Sequence, residues 1–135
     1  MYIRLAKQTE IKSVMMSIRN KHIDYNTPLQ AKEDILNNRL YVMIDNEKII
    51  ASCAIVPETQ YNYLAIKRLV IFRKENQRKG IADNFIKYFI KNFPDNLGAT
   101  PFSENKAMIN LLTKNNFVYK YNFLEKYCFY LREFL

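Results

Sequence analysis

The chain has 135 residues, 49% hydrophobic and 14% aromatic, with 21 basic against 13 acidic side chains for a formal charge of +8. That length suits one domain with one core, and the apolar content excludes a disordered chain. The positive excess favours an anionic partner (a phosphorylated cofactor, a nucleic acid or a membrane surface) or serves solubility alone, and charge by itself does not choose.

The segment YIRLAK alternates apolar and polar residues and reads as a first strand, Tyr2 to Lys7. Thr9 is placed to cap a helix to about residue 22, with Ile11, Val14, Met15 and Ile18 at helical spacing. TPLQ starts a second helix to about Asn38, with Thr27 as cap, Pro28 in the first turn and Gln30 reaching back as a capping box. Leu29, Ile35 and Leu36 are expected on its buried side. LYVMI and KIIASCAIV then read as strands joined by a DNEK hairpin turn, and Pro57 is expected to end the second of them. A long apolar strand follows at about 62–72, then the charged loop RKENQRK. From Gly80 to about Phe93 a wide stripe (Ile81, Ala82, Phe85, Ile86, Phe89, Ile90) predicts a helix with a buried face, and FPDN breaks it. LGATPF is a short strand. Ser103 is expected to cap a helix to about Asn115, and strands at about 117–122 and 127–132 close the chain. There is no internal repeat or linker, so residues 1–135 are expected to form one domain. The order β-α-α-β-β-β-α-β-α-β-β predicts an α/β (α+β) arrangement around one mixed sheet of about six or seven strands flanked by about four helices.

Cys53 and Cys128, the two cysteines, sit in apolar runs and read as buried strand residues. No CxxC pair or Cys/His cluster suggests a metal site, so none is expected. The first residues lack the long apolar segment of a signal peptide, and no apolar run approaches the roughly 20 residues of a membrane helix. The expectation is a soluble, cytoplasmic protein without a membrane partner.

The most informative stretch is ENQRKGIADN, Glu75 to Asn84, which holds Gly80, one of only two glycines. A strand, a basic loop and a glycine opening a buried helix together form a phosphate-binding device. The helix start offers unpaired N–H groups and partial positive charge. A glycine lets backbone approach the anion closely, and Arg78 and Lys79 add charge there. The spacing matches neither GxxxxGK[ST] nor GxGxxG, which sets aside a nucleotide-hydrolysing phosphate loop and a dinucleotide-binding fold.

Here the chain resembles the GNAT superfamily of acetyl-CoA-dependent N-acetyltransferases. The family's loop, Q/R-x-x-G-x-G/A, is met by Gln77-Arg78-Lys79-Gly80-Ile81-Ala82. Its second motif, roughly N-x-x-A-[IV]-x-L-Y-x-K-x-G-F, is met at the same length by NKAMINLLTKNNF, Asn105 to Phe117. Asn105, Ile109, Leu111, Lys114 and Phe117 match, whereas Met108, Leu112 and Asn116 replace a small residue, a tyrosine and a glycine. Asn116 is a mild change, because Asn is the usual substitute for Gly in a left-handed helix end. The element order resembles the family along nearly the whole chain and implies the acyl-CoA N-acyltransferase fold.

The resemblance implies that the pyrophosphate of CoA rests on the amides of the Gln77–Ala82 loop, that its pantetheine arm pairs with Leu69, Val70, Ile71 and Phe72, and that Asn105 bonds the arm. It implies acetyl transfer to an amine, with an N–H of Val70 or Ile71 stabilising the tetrahedral oxyanion. A tyrosine often protonates the departing thiolate in this family; Leu112 has no proton to give, and Tyr119 or Tyr121 is an alternative donor. Glu58, after the third strand, is the candidate general base. His22, Asp24, Tyr25 and Tyr61 lie in segments where relatives bind the acceptor. A GNAT-fold protein acting on RNA, such as aminoacyl-tRNA, and a non-catalytic CoA-binding module are the alternatives. A homodimer through the last strands is the assembly the family suggests.

Overall fold

The computed structural model describes residues 1–21, 26–76 and 80–135. The elements run β1 (Tyr2–Leu5), α1 (Ile11–Arg19), α2 (Thr27–Leu36), β2 (Leu40–Asp45), β3 (Lys48–Glu58), β4 (Tyr63–Ile71), α3 (Ile81–Asn92), β5 (Leu97–Ala99), α4 (Lys106–Lys114), β6 (Val118–Phe123) and β7 (Tyr127–Arg132). The strands form a seven-stranded sheet in the order β1-β2-β3-β4-β5-β7-β6. It is mixed: β4 and β5 run parallel, whereas β1–β2, β2–β3, β5–β7 and β6–β7 are antiparallel. This is the α/β architecture expected from the element order. The chain divides into two compact units, one of residues 1–55 and 68–81, the other of residues 56–67 and 82–135.

In the first unit, α1 packs on α2 and buries Val14 and Ile18, one turn apart. Thr9 does not cap α1. It lies in a 3-10 turn whose Glu10 carboxylate accepts the Lys7 N–H at 2.8 Å and pairs with both Arg4 nitrogens at 2.9 and 2.8 Å. That guanidinium holds the Glu10 carboxyl below its ordinary range. In α2, Asn26 occupies the cap position and Thr27 is already helical. Its buried residues are Thr27, Pro28, Ala31, Asp34 and Ile35; Leu29 and Leu36 are about half exposed. The buried stripe is therefore rotated from the expected one, and it contains an aspartate. Asn46 and Glu47, between β2 and β3, both have positive φ (50° and 66°), the two-residue turn whose twist matches a hairpin. The core here is Leu40, Val42, Met43, Ala51, Cys53 and Ala54, each at most 1% exposed.

In the second unit, α3 buries Phe85, Ile86 and Phe89, as its stripe requires. Pro57 does not end β3, which continues to Glu58; a proline is tolerated where its nitrogen owes no ladder bond. A Cβ on Gly98 in β5 would lie 2.6 Å from the Tyr63 ring. Only glycine allows that ring across the strand. The Tyr63 ring lies tilted against Phe129 (centroids 5.2 Å apart), which meets Tyr121 at 5.2 Å. α4 is capped by Asn105 rather than Ser103: the Asn105 Oδ1 accepts the Met108 N–H at 3.1 Å. It ends with Asn116 at φ 70°, bonds running from Asn116 N to Thr113 O and from Phe117 N to Leu112 O. That is the Schellman arrangement, with Asn in the glycine's place.

Candidate cofactor site

The candidate site grows from β4. Its parallel ladder with β5 covers Leu64–Leu97 and Ala65–Gly98. Three residues later Arg68 sits at φ 55°. A bulky side chain in the left-handed region costs about 1–2 kcal/mol and interrupts the pleat, so a compensating contact is expected. Asp34 provides it. Its carboxylate, 1% exposed, accepts the Arg68 Nε–H at 2.9 Å and the other guanidinium nitrogen at 3.0 Å, with Arg39 at 3.3 Å. The α2 end that carries Asp34 is itself fixed by a Schellman pattern: Asn38 has φ 55°, Asn38 N donates to Ile35 O, and Arg39 N donates to Asp34 O at 2.7 Å. A planar guanidinium meeting a carboxylate through two bonds is strong and directional. Cys53 of β3 feels both charges, but burial dominates and pushes its thiol far above the usual range.

Beyond Arg68, Leu69 and Ile71 are half-buried and Val70 is buried. The Phe72 N–H donates to Ile50 O at 2.9 Å, so that amide serves the junction with β3. Lys74–Asn76 form a 3-10 turn, and Asn76 is buried. Gln77, Arg78 and Lys79 lie outside the described residues. Gly80 follows at φ 71°, exposed, with nothing within 4 Å of a Cβ built on it. The left-handed backbone, rather than a crowded neighbour, makes glycine the fitting residue here. Ile81 opens α3 and is 2% exposed, anchoring the helix start, and Ala82 is half-buried.

In the second unit the first turn of α3 carries Asp83. It bonds Lys87 at 2.8 Å, the Asn115 amide at 2.9 Å and Lys114 at 3.5 Å, and the Lys87 contact leads in holding its carboxyl below the ordinary range. Its charge is thus met by two lysines. Asn105 is exposed and its carbonyl is engaged in capping α4. Leu112 is 1% exposed, so the position set against the tyrosine of the motif is a packing position here. Glu58 ends β3 and pairs with Lys67 at 3.0 Å. Tyr61 is 68% exposed, on a turn closed by Tyr61 N donating to Glu58 O. The Tyr119 hydroxyl donates to Asn122 Oδ1 at 3.1 Å, and its ring meets Tyr130 edge-on. A cavity of about 460 Å³ lies among Pro57, Thr59, Tyr63, Pro94, Asp95 and Phe134, of which Pro57 and Thr59 flank Glu58 in the chain and Tyr63 lies two residues from Tyr61. His22, Asp24 and Tyr25 lie outside the described residues. Among the described residues no group of three or more His, Cys, Asp or Glu is placed to hold a metal ion, and no helix is long and apolar enough to cross a membrane.

Asp34, Arg39 and Arg68 were not singled out in the sequence. One signal was present: Asp34 falls at i+3 from Ala31 and beside Ile35, inside the apolar stripe, where an aspartate needs a cationic partner.

No family model matches the chain, and no curated protein matches it. Solved structures do. A GNAT-family acetyltransferase from Bacillus cereus superposes with a TM-score of 0.81 over 99% of this chain and 97% of its own, at 12% identity. One from Streptococcus agalactiae gives 0.78 over 98% and 94%, at 20% identity. The yncA protein of Salmonella typhimurium, solved with its cofactor acetyl-CoA, gives 0.74 over 99% and 94%, at 12% identity. At such identities the likeness is one of fold: this chain has the acyl-CoA N-acyltransferase fold of the GNAT acetyltransferases.

Proposed function

We propose that residues 1–135 constitute an acetyl-CoA-dependent N-acetyltransferase whose acceptor is the amine of a small molecule or protein. The observation that carries this reading is the path from β4 through a left-handed Gly80 into the buried start of α3. It occurs on a fold that a similar protein uses with acetyl-CoA. The pyrophosphate is assigned to the amides of residues 77–82 and the pantetheine arm to Leu69–Ile71, with Phe72 contributing through groups other than its N–H. A neutral amine attacks the thioester carbonyl, the oxyanion is held by the Val70 or Ile71 N–H, and CoA leaves as a thiolate. An alkyl thiol has a pKa of about 8.5, so the thiolate is a tolerable leaving group near neutrality and solvent can protonate it. Leu112 supplies no proton, and Tyr119 remains the candidate donor. Glu58 is the assigned base, its Lys67 partner being a surface contact that an incoming amine can displace. Tyr61, with His22, Asp24 and Tyr25, is assigned to the acceptor side.

Acetyl-CoA should raise the melting temperature, and the rise should vanish in Gly80→Val. No rise in the parent protein at millimolar acetyl-CoA would remove the enzymatic reading. Dependence on acceptor is then read by screening amines for free-thiol release.

RNA binding is a second reading, favoured by the charge distribution: the first unit holds 13 basic and 7 acidic residues, the second 8 and 6. Filter binding of tRNA across a salt series tests it, since phosphate contacts give a steep slope. A homodimer through the terminal strands is part of the proposal. Every residue of β6, the last strand in the sheet order, is exposed, with Val118, Tyr119, Tyr121 and Phe123 each about half so. Light scattering that returns the monomer mass of 16.2 kDa would reject it.

A further inference from the structure

We propose that Asp34 and Arg68 are positioning residues for the cofactor strand: their two-bond ion pair holds the backbone of residue 68 in the left-handed region and thereby sets the direction of Leu69–Ile71. This rests on the assignment of those three residues to the pantetheine arm. The motif residues of the chain do not include either partner, and neither is assigned a place against CoA.

Four observations converge. Arg68 has φ 55° inside a strand, a conformation that favours glycine. Its guanidinium is committed through two nitrogens, at 2.9 and 3.0 Å, to one carboxylate. That carboxylate is 1% exposed and stands on α2, whose C-terminal end is closed by the Asn38 and Arg39 N–H groups donating to the Ile35 and Asp34 carbonyls. The anchor is thus rigid on the helix side. Finally, β4 runs on through Ile71, and just beyond it the Phe72 N–H meets Ile50 O of β3. Leu69, Val70 and Ile71, the last residues of β4, lie between these two fixings. A pair serving stability alone has no need of a left-handed arginine. A glycine would adopt that backbone without help, but glycine would leave Asp34 buried without the Arg68 guanidinium.

The test separates the backbone from the charge. Arg68→Gly and Arg68→Ala both remove the guanidinium, and only glycine adopts positive φ freely. Each is made in the full chain and read three ways: the sign of φ at residue 68 from NMR scalar couplings, hydrogen exchange of the Phe72 amide without ligand, and acetyl-CoA affinity by calorimetry. Arg68→Gly should keep positive φ, a protected Phe72 amide and an affinity within about threefold of the parent. Arg68→Ala should lose all three, with exchange faster and affinity weaker by about tenfold. Asp34→Asn should behave like Arg68→Ala, and adding Arg68→Gly to it should restore affinity even where the melting temperature stays low. Alanine and glycine variants that match each other in exchange and affinity overturn the proposal. If Asp34→Asn does not fold, the alanine and glycine pair decides alone. A parent protein that fails to bind acetyl-CoA removes the cofactor reading, and the coupling and exchange data still decide whether the pair positions the strand.

Discussion

Gly80 shows how a single residue carries a prediction. Its φ of 71° strains most side chains, although an added Cβ would meet open space. Strain and not collision is the expected defect. Gly80→Asn, which tolerates that region, should therefore retain most acetyl-CoA affinity, and Gly80→Val should lose about tenfold or more, by calorimetry. Asp83 carries a pH prediction. Its carboxyl is held low by Lys87 first and then by the Asn115 amide. Its contribution is thus full above the ordinary carboxylate range and fades as pH falls through the folded value. Asp83→Asn should lower stability by about 0.5–1 kcal/mol at pH 7 in urea unfolding, with the gap closing toward about pH 3. Cys53 carries a third. Its thiol is fully buried and pushed up by that burial, and Cys128 is buried too. A thiol reagent should label neither until denaturant is added.

At the scale of elements, α4 is the clearest instance of motif serving architecture. Asn105 caps its first turn, and Asn116 ends it in the left-handed region. Asn105→Ala should cost about 1 kcal/mol and lower the melting temperature without acetyl-CoA present. Asn116→Gly should be neutral or slightly stabilising, whereas Asn116→Val should destabilise by about 1–2 kcal/mol. The motif spacing made this element legible to within a residue or two, because cap chemistry and helical period are local. α2 was less legible. Its period was right, but Leu29 and Leu36 face outward and Asp34 faces inward. Period alone does not say which stripe is covered. That depends on α1 and on a guanidinium 34 residues further along the chain.

Across the whole molecule, charge is uneven: the first unit carries a net +6 of the total +8. If that excess serves the cofactor phosphates, acetyl-CoA affinity should fall between about 0.1 M and about 1 M salt, as the Debye length shrinks from about 10 Å to about 3 Å. An affinity flat across that range would place the basic residues elsewhere. The chain alone determined the order of elements, the glycine at a helix mouth and the capped helix near the end. Each is written in contiguous residues whose period, turn chemistry and caps act over a few positions. Tertiary structure alone decided that Leu112 is packed rather than presented, that the Tyr63 ring lies across Gly98, and that a left-handed arginine in β4 is clamped by a buried aspartate of α2. These depend on groups far apart in sequence meeting at distances of a few ångströms, and no local pattern encodes which distant partner a buried charge will find.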